Sequence, residues 1–290
     1  MGHTTTQMTE RTEPTTPEHG YHFSPATREA TLNRLLDALQ SDKRITGTLV
    51  VGSGAVGFED IYSDIDLCAV TTLAEDVKPA FQEWGAKICE MLPIFHHLES
   101  VRAVNVYLWV FLLENFLEID LCFLCLDALR ATRRRWRTVF DRSGRIESIM
   151  QSSWENRPEP NLEAGYRSRL NSSWHYIIHA VIALQRKQPW RALYEIEQIR
   201  NQAIELRGLR VALETKRFRH VDGMSEDFLT GVEQTLVPSL SKVDMMNALK
   251  TAIACFFREA RRFDKMLNLT LAERFETKMQ AYLAHFEANP

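Results

Sequence analysis

Two rhythms of apolar and polar positions divide the chain, and the change between them falls near residue 150. Ser24-Pro25 reads as an N-cap followed by proline at the first helical position. The apolar residues that follow recur at helical spacing to about Gln40. Ile45 to Val51 is a β-branched run ending at Gly52, and Ile65 to Thr71 predicts a second strand. Residues 75–92 return to helical periodicity and stop at Pro93. Val104 to Leu113 and Phe116 to Leu124 are strand-like runs separated by Glu114-Asn115, which predicts a hairpin. Asn156-Arg157-Pro158-Glu159-Pro160 is a breaker cluster, after which long amphipathic helices are expected at about 161–187, 190–213, 225–236, 242–267 and 270–286. The pattern predicts an α+β chain: a flexible tail over 1–24, a domain of mixed sheet and flanking helices over 25–152, and an all-α helical bundle over 153–290. No internal repeat is visible.

Composition narrows this only slightly. With 290 residues, 45% hydrophobic and 25% charged, the chain is globular and neither disordered, collagen-like nor a disulfide scaffold. The first 23 residues are rich in Thr, Pro and Glu and lack an apolar core, so they read as a tail rather than a signal peptide. No stretch is long and apolar enough to predict a membrane span. Five cysteines sit in apolar runs, which fits a reducing cytoplasm; Cys122-x-x-Cys125 lies in a strand-like run and is read as structural, not as a zinc or redox pair. The net charge of −3 conceals a split: residues 1–129 carry eight basic and nineteen acidic side chains, and residues 130–290 carry twenty-seven and nineteen. Neither a nucleic-acid partner nor a membrane surface is favoured by such a balance.

Candidate chemistry begins at Gly52-Ser53-Gly54-Ala55-Val56-Gly57, which literally matches a dinucleotide-binding G-x-G-x-x-G. That motif needs a helix directly after it, whereas the next strand starts only eight residues past Gly57. The dinucleotide reading therefore fails on context. The residues beyond supply another reading. Asp64 and Asp66 are i and i+2 at the start of a strand, so both carboxylates project to one face. Two such charges repel, and a hard divalent cation such as Mg²⁺ satisfies both while leaving coordination positions for phosphate oxygens. A Gly-Ser turn beside them would offer backbone N–H groups and the Ser53 hydroxyl to the same phosphates. Asp-x-Asp alone would read as a solvated strand end; the Gly-Ser turn at this spacing changes that balance.

Gly52-Ser53 followed by Ser63-Asp64-Ile65-Asp66-Leu67 resembles the motif of the nucleotidyltransferase superfamily that includes DNA polymerase beta. The chain is similar to the antibiotic nucleotidyltransferases within it, most closely those acting on lincosamides and, next, those acting on aminoglycosides. Ser41 to Thr46, Val139 to Glu147 and Asn268 to Leu271 extend the resemblance over nearly the whole chain from about residue 28. It implies a catalytic first domain in which Asp64 and Asp66 hold one or two Mg²⁺ ions and Gly52 and Ser53 touch a nucleoside triphosphate. A third carboxylate would come from a later strand, as base for the acceptor hydroxyl or as a further metal ligand: Asp120, with Glu118 two residues earlier as the other candidate. Gly54-Ala55-Val56 departs from the bulkier residues common in the group and leaves the phosphate contacts open.

The implied reaction moves a nucleoside monophosphate, AMP from ATP, to a hydroxyl of a small antibiotic and releases pyrophosphate. The rival readings are a non-catalytic, antitoxin-like binding member of the superfamily and an enzyme with an RNA or protein acceptor. Dimers are common in the resembled group, so a homodimer is carried as an expectation. In the helical half, Lys187 and Arg191 occupy a helix junction whose basic residues face the cleft in the resembled enzymes, giving either triphosphate contact or a solvated loop. Arg133, Arg134, Arg135 and Arg137 read as a solvated face. His175 and His179 read as packing residues, Trp174, Tyr176 and Trp190 as core, and Glu195 and Glu197 as exposed helix acids.

Overall fold

The protein is described by a computed structural model over residues 24–58 and 62–288. The tail expected over 1–24 lies outside the described residues except for Ser24. The first part of the chain runs α1 (Pro25–Ser41), β1 (Ile45–Val51), β2 (Ile65–Thr71), α2 (Val77–Met91), β3 (Ile94–Ala103), β4 (Val106–Leu113), β5 (Glu118–Cys125), β6 (Trp136–Asp141) and α3 (Ile146–Glu155). The strands form one six-stranded sheet in the order β3-β4-β5-β2-β1-β6. Only β2 and β5 pair in parallel; every other neighbour is antiparallel. A mixed sheet with flanking helices is thus observed, as the apolar pattern predicts.

Alternation along β2 and β5 sorts their side chains onto two faces. Ile65, Leu67, Ile119, Leu121 and Phe123 are buried with Leu32, Leu35 and Leu39 of α1 and Phe81, Trp84 and Ile88 of α2. Each such side chain contributes about 1.5–3 kcal/mol by leaving water. On the opposite face Leu49, Val70 and Leu124 pack with Ile146 and Met150 of α3. Asp66 and Asp120 belong to this second face, where the cover is smaller.

Two stretches that carry the sequence resemblance form one latch. Ser24 caps α1, its Oγ accepting from the Thr27 amide at 3.1 Å. At the other end, Asp42 accepts from Arg44 and from Trp84 Nε1, the latter at 2.9 Å. The Arg142 guanidinium donates to the carbonyls of Gln40, Asp42 and Ile45. Asp141 beside it accepts from the amides of Ser143, Gly144 and Ile146, which closes the turn into α3.

Contacts divide the chain into two compact units, Met1–Arg157 and Pro158–Pro290. The second is helical: α4 (Leu162–Gln185), α5 (Pro189–Arg210), α6 (Glu226–Glu233), α7 (Lys242–Leu267) and α8 (Leu271–Ala288). Its core includes Tyr166, Ile177, Ile196, Phe228, Phe256 and Phe263. Three of the buried polar side chains there are paired, which offsets their desolvation. Tyr166 Oη donates to Asp264 Oδ1 at 2.6 Å, the Ala272 amide donates to Asp264 Oδ2, and Glu259 lies between Arg210 and Arg262.

Three expectations for this unit are corrected. Trp174 and Trp190 are 42% and 72% exposed rather than core, and Glu195 is 6% exposed rather than a surface acid. Glu195 is covered because α5 buries residues on more than one of its faces. No helix among the described residues is long and apolar enough to cross a membrane.

Candidate active site

The parallel pairing of β2 with β5 sets the site. Its register places Asp66 directly beside Asp120, on the sheet face away from α1 and α2. Asp64 stands one residue before β2, and Glu118 is the exposed first residue of β5. The four carboxylates therefore fall in two i, i+2 pairs on neighbouring strands. Asp120 is half-buried; Glu118 is not. One step further along, Cys68 and Cys122 pair side by side, hydrogen-bonded to each other, and both thiols are free. Cys125 packs with the core of the other face, so Cys122 and Cys125 do not act as a pair.

The approach to Asp64 is held from beneath. Arg28 of α1 is fully buried, donates from Nη1 to the Ser63 carbonyl at 2.8 Å, and lies 4.9 Å from the Phe58 ring centroid. At the end of β1, Gly52 opens a 3₁₀ turn, Gly52–Val56, with φ of +69°. A Cβ there would lie 2.3 Å from Asp66 Oδ2. Glycine is thus required twice, by the left-handed backbone and by the room that the carboxylate occupies. Ser53 follows in the same turn, partly exposed.

The electrostatics of these residues fit a cation. Asp120 Oδ1 is buried and without a hydrogen-bond partner. Burial pushes the Asp120 carboxyl up to about 6, the charges of Glu118 and Asp64 push the same way, and Arg102 opposes them. A buried oxygen left unpaired, between like charges, is costly unless a positive charge joins it. Among the described residues no three His, Cys, Asp or Glu side chains already converge as a closed metal cage.

Beside Asp66 the same face contains a cavity of about 210 Å³, lined also by Cys68, Arg130, Thr132, Arg133 and Arg135. The arginine run read as a solvated face is exposed, yet two of its members, Arg133 and Arg135, border this cavity, together with Arg130 just before it. Nothing in the residue pattern announces this, because β6, the strand that brings the run alongside β1, is not evident from hydrophobicity.

Lys187 and Arg191 belong to the second unit. Lys187 adopts φ of +56° where the chain leaves α4. Arg191 lies 3.1 Å from His179 Nδ1 and 3.8 Å from the buried Glu195. His179 stacks near His175, with ring centroids 4.2 Å apart.

Paired carboxylates on adjacent strands, a glycine-led turn kept clear for one of them and a helical second unit are the parts of a nucleotidyltransferase. The streptomycin adenylyltransferase family matches the sequence over residues 26–286, and the chain belongs to that family. It is an enzyme, and the resemblance to antibiotic nucleotidyltransferases is borne out. Among solved structures the chain is similar to an aminoglycoside 6-adenyltransferase from Bacillus subtilis, with 13% identity, 89% of this chain and 98% of that one covered, and a TM-score of 0.43. A nucleotidyltransferase-like protein from Exiguobacterium sibiricum 255-15 shows 12% identity over 82% of this chain and 78% of that one, with a TM-score of 0.38. No curated protein sequence matches at a significant level.

Proposed function

We propose that the protein transfers AMP from Mg²⁺-bound ATP to a hydroxyl of an aminoglycoside-type antibiotic, streptomycin in the first instance, and releases pyrophosphate. The observation that carries this reading is the orphaned Asp120 oxygen in register with Asp66, whose own carboxylate fills the space that a side chain at Gly52 would need.

In this reading the first unit is catalytic, and Asp64 and Asp66 hold the metal. Bound Mg²⁺ would neutralise charge developing on the phosphates during in-line displacement. Asp120 accepts the proton of the acceptor hydroxyl, since its Oδ1 is buried with no hydrogen-bond partner of its own. Glu118, exposed at the strand's start, helps to attract a cationic acceptor rather than serving as base. The amides and hydroxyl of Gly52-Ser53 contact the triphosphate. Lys187 and Arg191 of the helical unit are assigned to the triphosphate on the family resemblance alone. Free thiols and the need for ATP fit a cytoplasmic location.

Pyrophosphate release from ATP tests the proposal, with the purified protein, Mg²⁺ and a panel of aminoglycosides and lincosamides. Turnover with an aminoglycoside, abolished by EDTA, is expected; turnover with a lincosamide alone would replace the acceptor class. ATP bound without turnover of any acceptor would favour the non-catalytic reading.

A further inference from the structure

Arg130 to Arg135 form the segment between β5 and β6, and the fold fixes its position closely. Trp136, the first residue of β6, pairs with Val51, the last residue before Gly52. β6 also packs against the Gly52–Val56 turn, so the arginine run passes alongside the glycine-serine turn. The backbone is anchored from below: Leu129 and Ala131 are buried, and the Ala131 amide donates to Ser153 Oγ of α3 at 2.9 Å. What remains outside is a row of cationic side chains over a firm base.

Charge and size then select a ligand. Arg130, Arg133 and Arg135 border one cavity of about 210 Å³ together with Asp66. None of the three makes a hydrogen bond or ion pair with another described residue. Arg134, between them in the chain, does not line the cavity, so it is the shared space that sets these three apart. Three guanidinium groups around one small space repel one another unless an anion joins them, and the guanidinium fork matches phosphate oxygens. Drug-sized ligands occupy about 300–1,000 Å³, so the cavity suits a chain of phosphates better than a nucleoside or an aminoglycoside. A polycationic acceptor would also be repelled. A nucleic-acid backbone would meet Asp64, Asp66, Glu118 and Asp120 on the same face.

We infer that Arg130, Arg133 and Arg135 are the polyphosphate-binding wall of the site and take the β- and γ-phosphates of the nucleotide. This rests on the nucleotidyl-transfer reading and adds to it residues from the sheet unit itself. Holding the two distal phosphates there places the α-phosphate toward Asp66 and keeps the leaving pyrophosphate's charge compensated after the bond to the α-phosphate breaks.

The test uses the full chain and inorganic tripolyphosphate with Mg²⁺, with binding measured by calorimetry. Arg133→Gln and Arg135→Gln are each expected to weaken binding about tenfold, and the double variant more. ATP KM should rise by a similar factor with acceptor KM and AMP affinity unchanged, since AMP lacks both distal phosphates. Arg134→Gln, in the same run but not at the cavity, is the control and should change little. Unchanged tripolyphosphate affinity in the double variant, equal loss in Arg134→Gln, or no tripolyphosphate binding by the unmodified protein would each overturn the inference. Tripolyphosphate binding lost in the double variant of a protein that turns over no acceptor would support this wall while removing the proposed reaction. Turnover with an unaltered ATP KM in the double variant would do the reverse.

Discussion

Gly52 and Asp66 constrain each other at the site. Gly52 takes a left-handed backbone, and its missing side chain is the space that Asp66 Oδ2 fills. Gly52→Ala should therefore cost about 1–2 kcal/mol in backbone strain and, in addition, push the carboxylate aside. A lower melting temperature together with a raised Mg²⁺ half-saturation point is expected; a normal metal requirement would show that Asp66 is not a ligand. Asp120 and Glu118 separate by burial. Asp120→Asn should reduce kcat by roughly 10²–10⁴-fold, the contribution of a positioned base. Its melting temperature should hold or rise, because the oxygen it neutralises has no partner. Glu118→Gln should change kcat only a few-fold. If Glu118→Gln is the inactive variant, the roles are exchanged.

At the scale of elements, the latch that joins α1, β1 and the turn into α3 explains why the sequence around 41–46 and 139–147 is distinctive without being catalytic. Arg142→Ala removes donors from three carbonyls and should cost about 1.5–3 kcal/mol, read from chemical denaturation. Asp42 gives the latch a pH dependence. Burial raises its pKa, but hydrogen bonds from Arg44 and Trp84 outweigh burial and hold it at about 2. A depressed carboxylate stabilises the fold above its unfolded pKa, near 3.8, and that stability is lost as pH falls toward 2. The melting-temperature gap between the unmodified protein and Asp42→Asn should be constant near neutrality and close between about pH 4 and pH 2.

The same scale shows what the sequence makes legible. β1, β2 and the five helices after residue 160 are each apolar on a regular period, so their limits are readable to within a few residues. β3 and β6 are edge strands, and β3 is exposed along most of its length, so neither alternates. α3 begins at a turn held by Asp141 and was not separable from the breaker cluster. The carboxylate types were readable from Asp64, Asp66 and Asp120. Their adjacency was not, because it depends on β2 and β5 pairing in parallel across an intervening helix and two strands. The cavity beside Asp66 needs β6 as well, which is why Arg133 and Arg135 read as ordinary surface charge.

For the whole molecule, the charge split at residue 129 gains a structural meaning. It does not follow the division of the fold, since the basic part begins inside the first compact unit, with the arginine run beside Asp66. The acidic side chains proposed for a metal and the basic ones proposed for phosphates thus meet on one sheet face, while the net charge stays at −3. Generic RNA should accordingly show no salt-sensitive binding at physiological ionic strength. Mass spectrometry of streptomycin and related aminoglycosides, incubated with the protein and MgATP, tests the central claim most directly. The account predicts a product heavier by one adenylyl group, formed by the unmodified protein and absent with Asp66→Asn. No adenylylated product from any acceptor in the panel, or the same product from Asp66→Asn, would contradict it.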